Sequence, residues 1–181
     1  MSVTGTHHVA ITVYDLERSA GFYTDLLGLA YDHTTVFNDA QVFRVFGLVG
    51  VRVRCVHLLA GRSGRIDLYH FDSGGRNPVA YDFDRIGLQH LAFQVNDLDA
   101  RAARLESEGV EILGDPSHMP GGSRSIFLRD PDGNIIQLVE TPFFSAPLGT
   151  ILQPIRRFFG RTHRQGNRAL VGPSVTKGAE N

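Results

Sequence analysis

His8-Val9-Ala10-Ile11-Thr12-Val13-Tyr14-Asp15-Leu16 and His90-Leu91-Ala92-Phe93-Gln94-Val95-Asn96-Asp97-Leu98 are two copies of one pattern. His, Ala, Val, Asp and Leu recur at a constant offset of 82, as in 90 − 8 and 97 − 15. An internal repeat of this kind fixes architecture before any single motif does. Val9, Ile11 and Val13, like Leu91, Phe93 and Val95, alternate with other residues, the period of a strand with one core face. Asp15 and Asp97 then stand where helix N-caps belong. Leu16, Ala20, Tyr23 and Leu27, and in the second copy Leu98, Ala102 and Leu105, carry the spacing of a one-faced helix. Gly28 and Gly109 sit where left-handed C-caps would end those helices.

Strand-like stretches follow each helix. The first half offers Leu29–Val36, Val51–Leu59 and Arg65–Phe71, with a turn at Gly61-Arg62-Ser63-Gly64. The second offers Val110–Leu113, Arg124–Arg129 and Asn134–Glu140, with a turn at Asp130-Pro131-Asp132-Gly133. Ile66-Asp67-Leu68 matches Ile136-Gln137-Leu138 at an offset of 70. The shrinkage from 82 to 70 assigns about a dozen extra residues to the first copy, at Asp39–Gly50. The expected organisation is α+β, with two tandem βαβββ modules at residues 5–71 and 88–142. A polar linker spans 72–87 and a tail runs over 143–181.

Alternation also decides which polar residues share a face. If the apolar positions of the first and last strands of each module face its helix, His8, Asp67, His90 and Gln137 project from the opposite side. A pseudo-two-fold axis between the modules would turn all four toward one cleft. Two imidazoles, a carboxylate and an amide oxygen suit Fe²⁺, Mn²⁺, Ni²⁺, Co²⁺ or Zn²⁺. Asp67 is the only base of the four, since an amide accepts no proton at neutral pH. Glu140 lies three residues from Gln137, on the other face of a regular strand. His7 is expected to point away from His8. His33, His57, His70 and His118 have no repeat counterparts and receive the default structural role. Cys55 is expected to be a packed thiol. The turn at 130–133 is expected to be structural.

Composition limits the remaining possibilities. Hydrophobic residues at 42% and charged residues at 20% exclude a disordered or fibrous chain. No apolar run approaches the ~20 residues of a membrane-spanning helix, and the N-terminal residues show no secretory pattern. A net charge of −1 gives no global attraction to nucleic acid or anionic membrane. One cysteine, Cys55, forms no internal disulfide, so the expected compartment is the reducing cytoplasm. Ser117–Ser123 reads either as a loop over the cleft or as an ordinary connection. The tail begins apolar, with Phe143, Phe144, Leu148, Ile151 and Leu152, and turns basic from Arg156 onward. Its apolar part is expected to dock on the chain's own body or on a dimer partner.

The pieces HHVAITVYDLERSAGFYTDLLGL, RIDLYHF, LQHLAFQVNDLDA and FLRDPDGNIIQLVE together resemble the vicinal oxygen chelate superfamily. That superfamily includes glyoxalase I, methylmalonyl-CoA epimerase, fosfomycin and bleomycin resistance proteins and extradiol dioxygenases. The resemblance covers roughly residues 6–142. It implies a glyoxalase-like open half-barrel, metal positions at His8, Asp67, His90 and Gln137, and a small-molecule substrate. Gln137 departs from the pattern, because most metal-dependent relatives place a glutamate there. The leading expectation is a metal-dependent lyase or isomerase of the glyoxalase or epimerase kind, as a homodimer. The alternatives are an Fe²⁺ extradiol-type dioxygenase and a metal-free binding or resistance protein.

Overall fold

The computed structural model of the chain describes residues 2–61, 64–73, 83–84 and 86–141. Most of the expected linker and all of the tail beyond Pro142 lie outside the described residues. The first module contains β1 (Val9–Thr12), α1 (Leu16–Gly21), β2 (Ala30–Phe37), α2 (Asp39–Phe46), β3 (Val53–Ala60) and β4 (Gly64–Phe71). The second contains β5 (Leu91–Gln94), α3 (Leu98–Ser107), β6 (Ser117–His118), β7 (Arg124–Arg129) and β8 (Ile135–Glu140). Each forms a four-stranded mixed sheet with the same order, β1-β4-β3-β2 and β5-β8-β7-β6, in which only the first pair is parallel. The repeat is thus a repeat of topology, and neither sheet closes into a barrel.

The caps explain why the helices start and stop where they do. The Asp15 and Asp97 carboxylates accept from Arg18 N and Ala100 N, satisfying amides the helices leave free. Asp97 adopts φ 55°, a left-handed conformation that aspartate tolerates better than most residues. The first helix continues from α1 through a π turn at Phe22–Leu26 and ends at Gly28, with φ 80°. The extra residues of the first copy fold into α2. Its N-terminus carries a reciprocal cap, Asn38 with Gln41, at 2.9 and 3.0 Å.

Two expectations need correction. Val110–Leu113 does not form a regular strand: only Ile112 bridges to Leu128, and regular pairing with β7 resumes at Ser117–His118. Gly114 at φ 120° and Pro116, which has no amide hydrogen, interrupt the ladder between them. His7 does not turn away from His8. It precedes β1, where strand alternation does not hold, and the two rings meet edge to face with Nδ1 atoms 2.8 Å apart.

A single apolar cluster joins both modules, with Ile11, Leu16, Tyr23, Leu58 and Leu68 from the first and Leu98, Leu105, Ile126, Ile136 and Leu138 from the second. The turn at 130–133 locks them together. Asp132 accepts from Tyr14 N at 3.0 Å and from Ser19 Oγ at 2.8 Å, while buried Asp130 accepts from Tyr23 Oη at 2.8 Å. Its structural role is as expected, and it joins modules as well as strands. Among the described residues, no helix is long and apolar enough to cross a membrane.

Candidate functional site

β1 and β4 run parallel with Ala10 opposite Asp67, and β3 runs antiparallel to β4 with His57 opposite Asp67. Ile66 and Leu68 face the core, so Asp67 projects from the other side of the sheet, yet it is only 2% exposed. A buried carboxylate needs partners. Asp67 has three: His57 Nδ1 at 2.8 Å from Oδ1, Arg65 Nε donating to Oδ1 at 2.7 Å, and His8 Nε2 at 3.8 Å from Oδ2. Burial pushes the Asp67 carboxyl upward, but the hydrogen bonds from Arg65 and His57 outweigh it and hold the group below the usual carboxylate value. Asp67 is therefore ionised at neutral pH.

His57 was not distinguished in the sequence, although a signal for it existed. The expected hairpin turn fixes Ala60 opposite Gly64, and counting three residues outward along each strand sets His57 opposite Asp67. His57 Nε2 lies 2.9 Å from Thr35 Oγ1, and its ring stacks on His33 at 4.2 Å. Cys55 is fully buried beside it, with Sγ 3.7 Å from His57 Nδ1. Burial, aided by the charge of Asp67, pushes this thiol up to about 11, so it stays neutral, as a packed cysteine should. Toward one end of the same face, Phe46 of α2 packs edge-on against Phe37, Tyr69 and Phe71. The inserted helix thus walls the polar cluster with aromatic rings.

The second sheet carries the counterparts at an offset of 70, with Gln137 for Asp67, Phe127 for His57 and Ser125 for Cys55. Gln137 is buried opposite Phe127 and donates to Ser125 Oγ at 3.1 Å. His90 meets Phe127 edge to face at 5.4 Å. Glu140 accepts from Leu98 N at 3.3 Å at the start of α3, on the face away from Gln137. The ion-binding potential is accordingly unequal. The first sheet presents a carboxylate and imidazoles, the second one imidazole and one amide.

Of the four expected site residues, His8 and Asp67 come together on the first sheet, and His90 and Gln137 both belong to the second. His8 and Arg65 line one pocket of about 290 Å³ with Leu91–Gln94 of β5. His90 lines another of about 290 Å³ with Ala10–Thr12 of β1. The start of each module's first strand thus shares a pocket with the first strand of the other module. Among the described residues, Cys55, His57 and Asp67 form the group whose metal-ligating atoms all lie within 4.8 Å of one another. With Cys55 neutral, the donors that fit a divalent ion are the Asp67 carboxylate and the His57 and His8 imidazoles. A larger pocket of about 710 Å³, lined by Arg18, Phe22, Arg104 and Arg129 among others, contains none of these donors.

Comparison with known proteins agrees with this fold. The family model described as Glyoxalase/Bleomycin resistance protein/Dioxygenase superfamily matches residues 5–138. A 2-epi-5-epi-valiolone epimerase from Actinomyces sp. is 30% identical over 147 residues, 75% of this chain and 79% of that protein. A lactoylglutathione lyase from Salmonella typhimurium is 27% identical over 78% of this chain and 96% of its own. The crystal structure of a glyoxalase family protein from Bacillus cereus superposes with a TM-score of 0.69 at 22% identity, covering 77% of this chain and 95% of that one.

Proposed function

Since this chain belongs to the glyoxalase/bleomycin resistance protein/dioxygenase superfamily, we propose that it is a divalent-metal-dependent lyase or isomerase that moves a proton beside a carbonyl of a small oxygen-bearing metabolite. The observation that carries this assignment is a buried, ionised carboxylate, Asp67, faced by the imidazoles of His57 and His8. The likeness to an epimerase and to a lactoylglutathione lyase supports the same class of reaction. Asp67 and His8 from the first module and His90 and Gln137 from the second would hold the ion, drawn from one chain or from two in a homodimer. Fe, Mn, Ni, Co and Zn all match these donors. When bound, a divalent ion would supply Lewis-acid polarisation of a substrate oxygen.

The remaining chemistry falls to the chain's own groups. Asp67 is the base of the expected set, and the His57 contact extends it into a hydrogen-bonded pair. The proton passes between Asp67 Oδ2, the carboxylate oxygen turned away from His57, and the carbon next to the carbonyl. Phe37, Phe46, Tyr69 and Phe71 give one end of the face an aromatic lining. A metal-free binding protein is the second reading, and Arg65 favours it, because its guanidinium already neutralises Asp67.

The test is solvent exchange. Metal-loaded protein incubated in D₂O with a panel of 2-hydroxy carbonyl compounds and hemithioacetals should place deuterium on the carbon beside the carbonyl. Asp67→Asn should slow that exchange on the order of 10²-fold or more. Oxygen uptake with catechols would establish a dioxygenase instead. Tight binding without exchange would establish a binding protein.

A further inference from the structure

At the centre of the first sheet's polar cluster, one nitrogen faces two incompatible demands. His57 Nδ1 lies 2.8 Å from Asp67 Oδ1. An ionised carboxylate only accepts, so that contact requires Nδ1 to carry the proton. The same Nδ1 lies 2.5 Å from Arg65 Nη2. A guanidinium only donates, so that contact requires Nδ1 to be bare. No tautomer of His57 satisfies both neighbours. Thr35, on Nε2, does not resolve the conflict, because a hydroxyl donates or accepts with equal ease.

A divalent ion would resolve it, since such an ion takes a bare imidazole nitrogen and a carboxylate oxygen as ligands on one centre. Arg65 lies against those same two atoms, with Nε 2.7 Å from Asp67 Oδ1 and Nη2 on His57 Nδ1. We propose that Arg65 competes with a divalent metal ion for Asp67 Oδ1 and His57 Nδ1, so that the guanidinium must leave before the ion can enter. The two cannot coexist there, because a guanidinium a few ångströms from a doubly charged ion is repelled strongly in a poorly solvated site. Departure is feasible for this side chain. Arg65 is the second residue of β4, next to the turn, and its side chain is 27% exposed against 3% for Asp67 and 7% for His57. Its Nη1 makes no hydrogen bond among the described residues, and a long stem lets the head group swing into solvent. The metal affinity of the chain is then set in part by its own arginine.

This inference rests on the assignment of Asp67 as a metal ligand, and the experiment separates the two. Zn²⁺ is titrated against full-length, metal-stripped wild type, Arg65→Gln, Arg65→Lys and the double variant Arg65→Gln/Asp67→Asn, with a competing chelator as reporter. Arg65→Gln should bind Zn²⁺ about tenfold more tightly than wild type, the gain expected if the guanidinium holds the ligand atoms about nine-tenths of the time. Arg65→Lys, which keeps the charge, should fall between them, and the double variant should lose the gain. Nitrogen-15 NMR of the wild type provides a measurement that does not depend on any variant folding, because the Arg65 Nε–H signal should move as Zn²⁺ binds. Equal or weaker binding by Arg65→Gln, with binding lost in the double variant, would overturn the competition and leave the metal site standing. An Nε–H signal unmoved at saturating Zn²⁺ would do the same. Undiminished binding by the double variant, or no binding by any form, would overturn the metal assignment and the competition with it.

Discussion

Gln137 is the residue at which this chain's chemistry parts from the glutamate the family resemblance implies. It is buried, it occupies the position in the second sheet that Asp67 holds in the first, and it donates to Ser125 Oγ at 3.1 Å. An amide oxygen adds no charge to a metal site. Gln137→Glu should therefore tighten metal binding by about tenfold, equivalent to about 1.4 kcal/mol, while leaving the ion less Lewis-acidic and slowing turnover. Paired metal titrations and rates check both effects, and unchanged affinity would remove Gln137 from the ligand set. At this scale the sequence was legible where the repeat spoke. His8, Asp67, His90 and Gln137 were singled out because their counterparts recur in the other half. His57 and Arg65 escaped because their equivalents, Phe127 and Ile135, carry no charge, so comparison of the halves gave no signal. Strand register, which the hairpin turn had already implied, was the observation that places His57 against Asp67.

Among the elements, the β7–β8 turn does more than reverse the chain. Asp130 receives Tyr23 Oη from the first helix and both the amide and side chain of Asn134, and its environment is buried. Burial is the largest influence on its carboxyl and raises it, with the hydrogen bonds from Asn134 and Tyr23 opposing. A carboxyl raised in the folded state keeps its proton longer than the unfolded chain does. Its contribution to stability therefore falls as pH rises from the ordinary carboxylate value toward the folded one. Tyr23→Phe removes a donor to that charge and should cost about 1.5–3 kcal/mol near neutral pH, and less near pH 4.5, where more of the carboxyl is protonated. Urea unfolding at the two pH values measures the difference, and an equal loss at both would show that the Tyr23 contribution does not depend on the Asp130 charge. The elements themselves were legible from period and caps, with two exceptions. The extra residues of the first copy were located without their helical form, although Asn38 and Gln41 hold the spacing of a capping box. Val110–Leu113, expected as a strand from its alternating apolar residues, forms only the Ile112–Leu128 bridge, and Gly114 and Pro116 separate it from β6.

For the molecule as a whole, duplication supplies two sheets of one topology with unequal chemistry. The first sheet holds the carboxylate, the clustered imidazoles, the competing guanidinium and the aromatic wall of an inserted helix. The second holds His90 and an amide. That asymmetry was only partly visible beforehand, because an offset identifies equivalent positions and says nothing of insertions or of side chains that meet across a hairpin. The central claim is that a divalent ion binds at Asp67 with imidazole support. Its most direct test is elemental analysis of the untagged protein, grown with Fe, Mn, Ni, Co and Zn and dialysed before measurement, beside Asp67→Asn and the His8→Ala/His90→Ala double variant. The wild type should retain about one ion per chain and both variants should lose it. Wild type without metal, or full occupancy in Asp67→Asn, would contradict the claim.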